Sequence, residues 1–226
     1  MSEQLEMTLF LIDRLESAGI PYMLTGSVAM STYIAPRMTM DVDLVVECDQ
    51  TRPADWVALF GEDCYISLEA VRDAQARGGV FNIIHNQLIA KADIIVRRNS
   101  EYRKLEFSRR QVRALAGRDV FVVSPEDLHR GRPAMGANQV MSLDTPPEVE
   151  ARYNRMIMEL SPEERMLRCF RMFDQAKALA QAGLEAEPNP RNLSMRARIF
   201  LRFYGTEYSE EEQARIIRAI DTAAPR

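Results

Sequence analysis

Two aspartates spaced two residues apart, Asp41 and Asp43, are the side chains of this sequence best suited to chemistry. They lie inside an apolar run that begins at Met40 and continues as Asp-Val-Asp-Leu-Val-Val. Residues i and i+2 of a β-strand point to the same face, about 6.6 Å apart, so the two carboxylates project together while Val42 and Leu44 face a core. Neighbouring carboxylates repel each other unless a cation joins them, and Mg²⁺ is a hard ion that prefers oxygen ligands. An isolated Asp-x-Asp pair is usually a solvated edge or a turn, but its place inside an apolar run favours a functional site.

A Gly-Ser pair, Gly26-Ser27, precedes the acidic strand and is typical of a phosphate-binding turn. The short apolar strand over 20–24 ends there, and a helical segment follows over 27–34. Glycine lets the backbone approach a phosphate closely, and the amides that open a helix point toward an anion. A simple turn and helix cap is the alternative. The order of strand, Gly-Ser, helix and acidic strand favours the phosphate site.

A second acidic strand is predicted further along the chain. The runs 80–85 and 88–96 are rich in β-branched residues and are joined by Asn86-Gln87, which indicates a hairpin. Lys91 and Asp93 share one face of the second run. By themselves these two side chains form an ion pair that contributes little to stability.

The three motifs together resemble the nucleotidyltransferase (polymerase-β-like) superfamily over about residues 5–128. They are Gly26-Ser27, Arg37-x-Thr39-x-Asp41-x-Asp43 and Lys91-x-Asp93, in this order. The sequence is most similar to the small prokaryotic AbiEii/MenT type, whose members belong to toxin–antitoxin systems. The resemblance implies a transferase that moves a nucleoside monophosphate from a nucleoside triphosphate such as ATP to a hydroxyl of RNA or protein. It also implies a magnesium cofactor, with two ions bound and Mn²⁺ as a substitute, which would stabilise both the attacking and the leaving oxygen.

The resemblance also assigns roles to individual residues. The metal-binding and catalytic positions are Asp41, Asp43 and Asp93, and Asp93 would also orient or take the proton of the attacking hydroxyl. The nucleotide-binding positions are Gly26, Ser27, Arg37, Thr39 and Lys91, with Lys91 neutralising the charge of the triphosphate. Arg37 on its own fits an ordinary surface arginine equally well.

A basic segment over 97–118 contrasts with the acidic remainder of the chain. It holds eight lysines and arginines but only two aromatic residues, Tyr102 and Phe107. The segment is either a solvated face around a strand or a cradle for a polyanion, such as a triphosphate or an RNA end. The low aromatic content does not favour a nucleic-acid surface.

Composition limits the class of protein. The 226 residues are 46% hydrophobic and carry a net charge of −4, which fits one large or two small domains and argues against bulk electrostatic binding of nucleic acid. No apolar run approaches the ~18 residues that a membrane span needs, and no signal peptide is apparent. The three cysteines lack a Cys-x-x-Cys spacing, so we expect reduced thiols in a cytoplasmic protein.

The expected fold class is α/β (α+β), a nucleotidyltransferase-type mixed sheet with flanking helices, followed by an all-α unit. The predicted boundaries are 1–128 for the nucleotidyltransferase-like domain, 129–140 for a linker and 141–226 for a helical domain. The last part resembles a small helical family of unknown role, marked by Ser-Pro-Glu-Glu-Arg and Phe-Leu-Arg-Phe-Tyr-Gly. It shows no catalytic set of residues in sequence.

Two other functions fit the same sequence. One is a catalytically silent nucleotide-binding or protein-interaction module that keeps the fold as half of a toxin–antitoxin or regulatory pair. The other is an enzyme whose helical unit covers its own site as an antitoxin would. The expected partners are a nucleoside triphosphate, an RNA or protein acceptor, and an antitoxin or regulatory protein, with no membrane.

Overall fold

The computed structural model describes residues 2–130 and 146–223, and its first part is built on one mixed β-sheet. Seven strands and six helices are interspersed along the described residues 2–130, with β4–β5 and β6–β7 as direct strand pairs. The strands are β1 (Tyr22–Thr25), β2 (Asp41–Val46), β3 (Cys64–Ile66), β4 (Val80–His85), β5 (Ala90–Val96), β6 (Gln111–Leu115) and β7 (Arg118–Val122). The helices are α1 (Glu3–Ser17), α2 (Gly26–Met30), α3 (Pro53–Phe60), α4 (Leu68–Arg77), α5 (Glu101–Ser108) and α6 (Pro125–Arg130).

The sheet has the strand order β3-β4-β5-β2-β1-β7-β6. The pairs β2–β5 and β1–β7 are parallel, and the other neighbouring strands are antiparallel. The acidic strand β2 is therefore central, between β1 and β5. The predicted α/β class, with a mixed sheet, flanking helices and a helical C-terminal part, is confirmed.

The central strand alternates as its sequence requires. Val42, Leu44 and Val46 are fully buried, whereas Asp41 and Asp43 on the other face are partly exposed. The buried face joins the main hydrophobic core together with side chains of α1, α3 and α4, including the stacked rings of Trp56 and Phe60. Removal of this apolar surface from water stabilises the packing of the sheet on these helices.

The structure describes four helices in the C-terminal part, and three of them begin after a capping serine. The four helices are α7 (Pro147–Met158), α8 (Pro162–Ala186), α9 (Met195–Tyr204) and α10 (Glu210–Thr222), with a 3₁₀ turn at Gly205–Glu207 after α9. Ser161 and Glu164 form a capping box at the start of α8, as the Ser-Pro-Glu-Glu pattern itself favours. Ser194 and Ser209 accept the corresponding backbone amides of α9 and α10.

These helices share cores with the sheet. Met166, Cys169 and Phe170 of α8 belong to the main core, and Phe200 of α9 packs in a second core that includes Ile84 of β4. Ile84 lies directly opposite Lys91 in the register of β4 and β5, so α9 packs on the face of the sheet that carries the acidic side chains.

The division into two units with a linker between them remains a prediction. Residues 129 and 130 of the predicted linker belong to α6, and 131–140 lie outside the described residues. The first residues of the predicted helical domain, 141–145, also lie outside them. Among the described residues no helix has both the length and the apolar character needed to cross a membrane.

The basic segment contains a helix that the strand interpretation did not predict. Ser100 caps α5 by accepting the amide of Arg103, and the strand β6 begins only after that helix ends. Arg103 and Lys104 of this helix pair with Glu106 and Glu101 within the same helix. Part of the positive charge of the segment is therefore neutralised locally.

Candidate active site

The register of β2 and β5 brings the three predicted carboxylates together. Asp43 lies beside Asp93, and Asp41 lies beside Lys91, on neighbouring parallel strands. Strands in a sheet are about 4.8 Å apart, so all four side chains project from one small area of one face. Asn82 of β4 donates a hydrogen bond from Nδ2 to Asp93 Oδ1 at 2.6 Å and fixes that carboxylate from the next strand.

Lys91 is buried among carboxylates and is only 3% exposed. Its Nζ lies 3.4 Å from Asp41 Oδ1 and 3.3 Å from Asp93 Oδ1, and it donates a hydrogen bond to Glu207 Oε2 of the 3₁₀ turn. Burial alone lowers the pKa of the ammonium, but the hydrogen bond to Glu207 and the charges of both aspartates outweigh burial and raise it. Lys91 is thus held as a cation at the centre of the acidic group.

Asp41 ionises with difficulty in this setting. Burial raises its pKa to about 7, opposed by the charge of Lys91 and reinforced by the charges of Asp93, Glu207 and Asp43. Its Oδ1 atom is buried and accepts no hydrogen bond from the described residues. A buried carboxylate oxygen without a donor is costly unless a cation supplies the missing interaction.

The Gly-Ser turn brings the backbone against Asp43. Gly26 has a positive φ of 64°, and a Cβ added there would lie 1.8 Å from Asp43 Oδ2. The absence of a side chain at Gly26 therefore makes room for the carboxylate of Asp43, where sequence reasoning expected room for a phosphate. The helix that follows, α2, has only five residues.

The remaining predicted nucleotide-binding residues surround this turn. Ser27 is buried, and its Oγ accepts a hydrogen bond of 2.5 Å from Arg37 Nη2. Thr39 Oγ1 donates to the carbonyl of Asp41 at 3.4 Å. Arg37 and Thr39 therefore contact the Gly-Ser turn and the acidic strand, respectively. Lys91 lies on the far side, against the carboxylates.

An open cleft of about 480 Å³ adjoins Asp43. Its walls combine apolar side chains of β2 and β5 with the glycine backbone of Gly26, Gly78 and Gly79, and three arginines also contribute. The arginines are Arg97, Arg98 and Arg103, at the start of the basic segment. Arg97 is paired with Glu47 and Asp49, while Arg98 donates from Nε to the Gly78 carbonyl at 3.1 Å. Three carboxylates, of Asp43, Glu106 and Asp127, also line the cleft, and its volume suits a small organic ligand.

Sequence reasoning missed the residues that the C-terminal part contributes. The Tyr204 hydroxyl donates to the Met40 carbonyl at 2.9 Å, and its ring lies 5.7 Å from Lys91 Nζ. Glu207 bonds the lysine directly, as described above. The hydroxyl of Tyr208 is buried, accepts and donates no hydrogen bond among the described residues, and has a pKa raised by burial and by the charges of Glu207, Asp93 and Asp41. No sequence spacing links these positions to residues 41–93, so only the fold reveals them.

The carboxylate oxygens are suitable ligands for a hard divalent cation, but they do not surround one common position. Among residues 2–130 and 146–223, no group of three or more His, Cys, Asp or Glu side chains is already arranged around a common metal position. The Lys91 ammonium lies within ion-pair distance of both Asp41 and Asp93. The hydrogen-bond-free Oδ1 of Asp41 and the adjoining carboxylates of Asp43 and Asp93 supply the oxygen ligands that Mg²⁺ or Mn²⁺ prefers.

Comparisons with known proteins give a remote likeness. No protein-family model matches the chain, and no curated protein matches it. A solved structure of the lincosamide antibiotic adenylyltransferase LnuA, bound to lincomycin, is similar with 12% sequence identity and a TM-score of 0.42. That likeness covers 59% of this chain and 88% of the other. At this level it carries no argument about what the chain does.

Proposed function

We propose that this protein is a magnesium-dependent nucleotidyltransferase of the polymerase-β-like superfamily. The observation that carries the proposal is the set of three carboxylates, Asp41, Asp43 and Asp93, on adjoining positions of two parallel strands beside an open cleft. A bound divalent cation would supply charge neutralisation for a triphosphate and for its leaving group. Asp41, Asp43 and Asp93 would hold the metal, with Mg²⁺ the expected ion, two ions the expected number and Mn²⁺ a substitute.

The reaction assigns a proton acceptor to this chain. A hydroxyl oxygen of the acceptor forms a bond to the α-phosphorus, the bond to the bridging oxygen breaks, and pyrophosphate leaves. Asp93, oriented by Asn82, would take the proton of the hydroxyl. The same hydrogen bond from Asn82 keeps the Asp93 carboxylate pointed along the acidic face.

The cleft beside Asp43 is our candidate for the nucleotide. Gly26, Gly78 and Gly79 present backbone without side chains along its wall, and Arg98 places positive charge there, whereas Arg103 is paired with Glu106. An arginine in this position would attract the triphosphate of ATP or another nucleoside triphosphate. The roles of Ser27, Arg37, Thr39 and Lys91 in binding it are part of the same proposal, with Ser27 and Arg37 acting as a bonded pair.

The proposal also includes the class of acceptor and the class of partner protein. The acceptor is a hydroxyl of RNA or protein, and an AbiEii/MenT-type role implies an antitoxin or regulatory protein as partner. All three cysteines are free and buried, as expected for a reducing cytoplasm. The C-terminal helices would form the acceptor side, because Tyr204 and Glu207 reach the acidic group from there.

One observation favours a second candidate, a catalytically silent module. The ammonium of Lys91 stands beside Asp41 and Asp93 and neutralises part of the charge that a cation would otherwise neutralise. A protein that has lost its activity could keep such an arrangement as a stable ion-pair network. The enzyme must bind metal and nucleotide together, whereas a silent module that acts only through protein interaction need not.

Calorimetric titration with each of the four nucleoside triphosphates, with and without Mg²⁺, separates them. We expect binding that requires Mg²⁺ in the wild type and is lost in the double variant Asp41→Asn/Asp43→Asn. Asp73→Asn, which changes an exposed acid of α4, is the matched control and should bind as the wild type does. Absence of metal-dependent binding in the wild type would contradict the enzyme and place the silent module first.

A further inference from the structure

The ammonium of Lys91 is bonded to one carboxylate and merely adjacent to two others. Its distances to Asp41 Oδ1 and Asp93 Oδ1, 3.4 and 3.3 Å, exceed the 2.7–3.2 Å of ordinary N–H···O hydrogen bonds. Asp41 Oδ1 accordingly counts among the buried oxygens without a hydrogen bond, whereas Glu207 Oε2 accepts a hydrogen bond from Nζ. The hydrogen bond to Glu207 therefore fixes the position of the Lys91 ammonium.

The C-terminal part fixes Glu207 at this place. The 3₁₀ turn that carries it follows Tyr204, whose hydroxyl is bonded to the Met40 carbonyl just before β2. On the other side of the turn, Gln213 donates from Nε2 to the carbonyls of Gly205 at 2.8 Å and Tyr208 at 3.0 Å. The turn is held at both ends by hydrogen bonds, so Glu207 is presented to Lys91 by a defined piece of backbone.

We propose that Glu207 is a positioning residue that takes the hydrogen bond of the Lys91 ammonium and so weakens its competition with a divalent cation for the oxygens of Asp41 and Asp93, which stay within ion-pair distance of it. This inference rests on the proposed function, because it concerns the cation of that same site. Lys91 is buried and needs an anionic partner. Without Glu207, its only close partners among the described residues would be Asp41 and Asp93, and the ammonium would compete with the cation for their oxygens.

The proposal also gives the C-terminal helices a function at the site. They would set the cation affinity of aspartates that lie more than a hundred residues away in sequence, through one ion pair. A helical unit that only covers the sheet, or that only blocks the site, would not need a carboxylate at Glu207. Glu207 would act on the cation through Lys91, and a double-mutant cycle can measure this dependence on Lys91.

The test is Mn²⁺ binding to the full-length protein, followed by the loss of the electron paramagnetic resonance signal of free Mn²⁺. Glu207→Gln should weaken binding about tenfold or more, the scale seen for residues that support metal ligands from outside. Glu211→Gln, an exposed acid at the start of α10, is the matched control and should leave binding unchanged. Glu207 is itself partly exposed, so its isosteric replacement is expected to fold, which circular dichroism verifies.

A double-mutant cycle with Lys91→Met tests whether Glu207 acts through the lysine. In the Lys91→Met background, Glu207→Gln should cause no further loss of Mn²⁺ affinity. An equal loss in both backgrounds would make Glu207 a direct ligand and overturn the proposal, and so would unchanged binding in Glu207→Gln. These outcomes leave the proposed function intact, whereas a wild type that binds no Mn²⁺ contradicts both.

Discussion

The approach of Gly26 to Asp43 is the tightest constraint on a single residue in the site. An added Cβ would lie 1.8 Å from the carboxylate, and Gly26 has in addition a positive φ that disfavours other residues. A methyl group there must displace Asp43, the one predicted metal ligand that also lines the cleft. The Gly26→Ala variant therefore combines two destabilising effects, the strain of a left-handed backbone and the clash with Asp43.

We predict that Gly26→Ala destabilises the protein more than Gly19→Ala and also abolishes metal-dependent nucleotide binding. Gly19 has nearly the same φ, 65° against 64°, but nothing within 4 Å of its added Cβ, so it is the matched control. The control should cost about 1–2 kcal/mol, the penalty of left-handed backbone alone. Urea unfolding and calorimetry measure the two effects, and equal results for both variants would contradict the account of the turn.

Asp41 predicts a pH dependence of stability. Its folded-state pKa of about 7 lies above the ordinary value, so the metal-free folded protein holds this proton more tightly than the unfolded chain. The contribution of Asp41 to stability is therefore fully present below about pH 4 and is lost as the pH rises toward 7. The side chain at position 41 of Asp41→Asn is neutral at every pH, so this variant should not lose that contribution to stability as the pH rises.

We expect the free energy of unfolding of Asp41→Asn, relative to wild type, to rise by on the order of 1–3 kcal/mol between pH 4 and pH 8 in the presence of a chelator. The measurement is urea unfolding at several pH values. Asp119→Asn, an exposed acid of β7, controls for the substitution itself. If the free energies of unfolding of wild type and Asp41→Asn change in parallel over this range, the conclusion that burial raises the pKa of Asp41 in the metal-free folded protein is wrong.

At the scale of elements, the end of α2 is where the C-terminal helices are joined to the sheet. Arg165 of α8 is buried, and its guanidinium donates to the carbonyls of Ser31, at 3.1 Å from Nε, and of Thr32. Nearby, Cys169 donates from Sγ to the Arg37 carbonyl at 3.1 Å. The bonds of Arg165 satisfy carbonyls just beyond the end of α2, where the helix offers no backbone donors.

We predict that Arg165→Met lowers the free energy of unfolding by about 2–3 kcal/mol, because it leaves buried carbonyls without donors. Arg168→Met is the matched control, since Arg168 lies on the exposed side of the same helix. The control should change stability by less than about 0.5 kcal/mol. Similar losses in both variants would show that the buried bonds do not join the helix to the sheet.

Strong periodic elements were predictable from sequence, and short or locally determined ones were not. The two acidic strands β2 and β5 follow from period-2 alternation, and Ser-Pro-Glu-Glu predicts the start of α8 through its capping box. The three-residue strand β3 is too short to show a pattern, and it exists because β4 pairs with it. Helix α5 was missed because its high charge hides its weak apolar stripe.

The site itself was predictable only where the chemistry is local. Asp41 and Asp43 share a face by spacing alone, and Asp93 was added by resemblance. The pairing of β2 with β5 brings the three into one group. Glu207 and Tyr204 reach the group through tertiary packing, which no local pattern encodes. The local rule for Gly26 predicted a special turn, and only the structure shows that Asp43 fills the space where a side chain would lie; the phosphate-binding role of Gly26 stays a prediction.

On the scale of the whole molecule, one face of the sheet is sealed and the other carries the site. Helices α1, α3 and α4 contribute to the main core with the apolar side of β2, while α9 packs on the acidic side near β4 and supplies Tyr204. A long helix, α8, takes part in the main core and joins the two parts. The acidic group therefore lies between the sheet and the C-terminal helices, with the cleft beside Asp43 as its open side.

The most direct test of the central claim uses nucleoside triphosphates labelled on either the α- or the γ-phosphate, with Mg²⁺ and a cell lysate as the source of RNA and protein acceptors. A nucleotidyltransferase moves the α-label to the acceptor and releases the γ-label as pyrophosphate. We predict acceptor labelling from at least one α-labelled triphosphate, none from its γ-labelled form, and none with the Asp43→Asn variant. Transfer of the γ-label, or no transfer of α-label from any of the four triphosphates to any RNA or protein, would contradict the account.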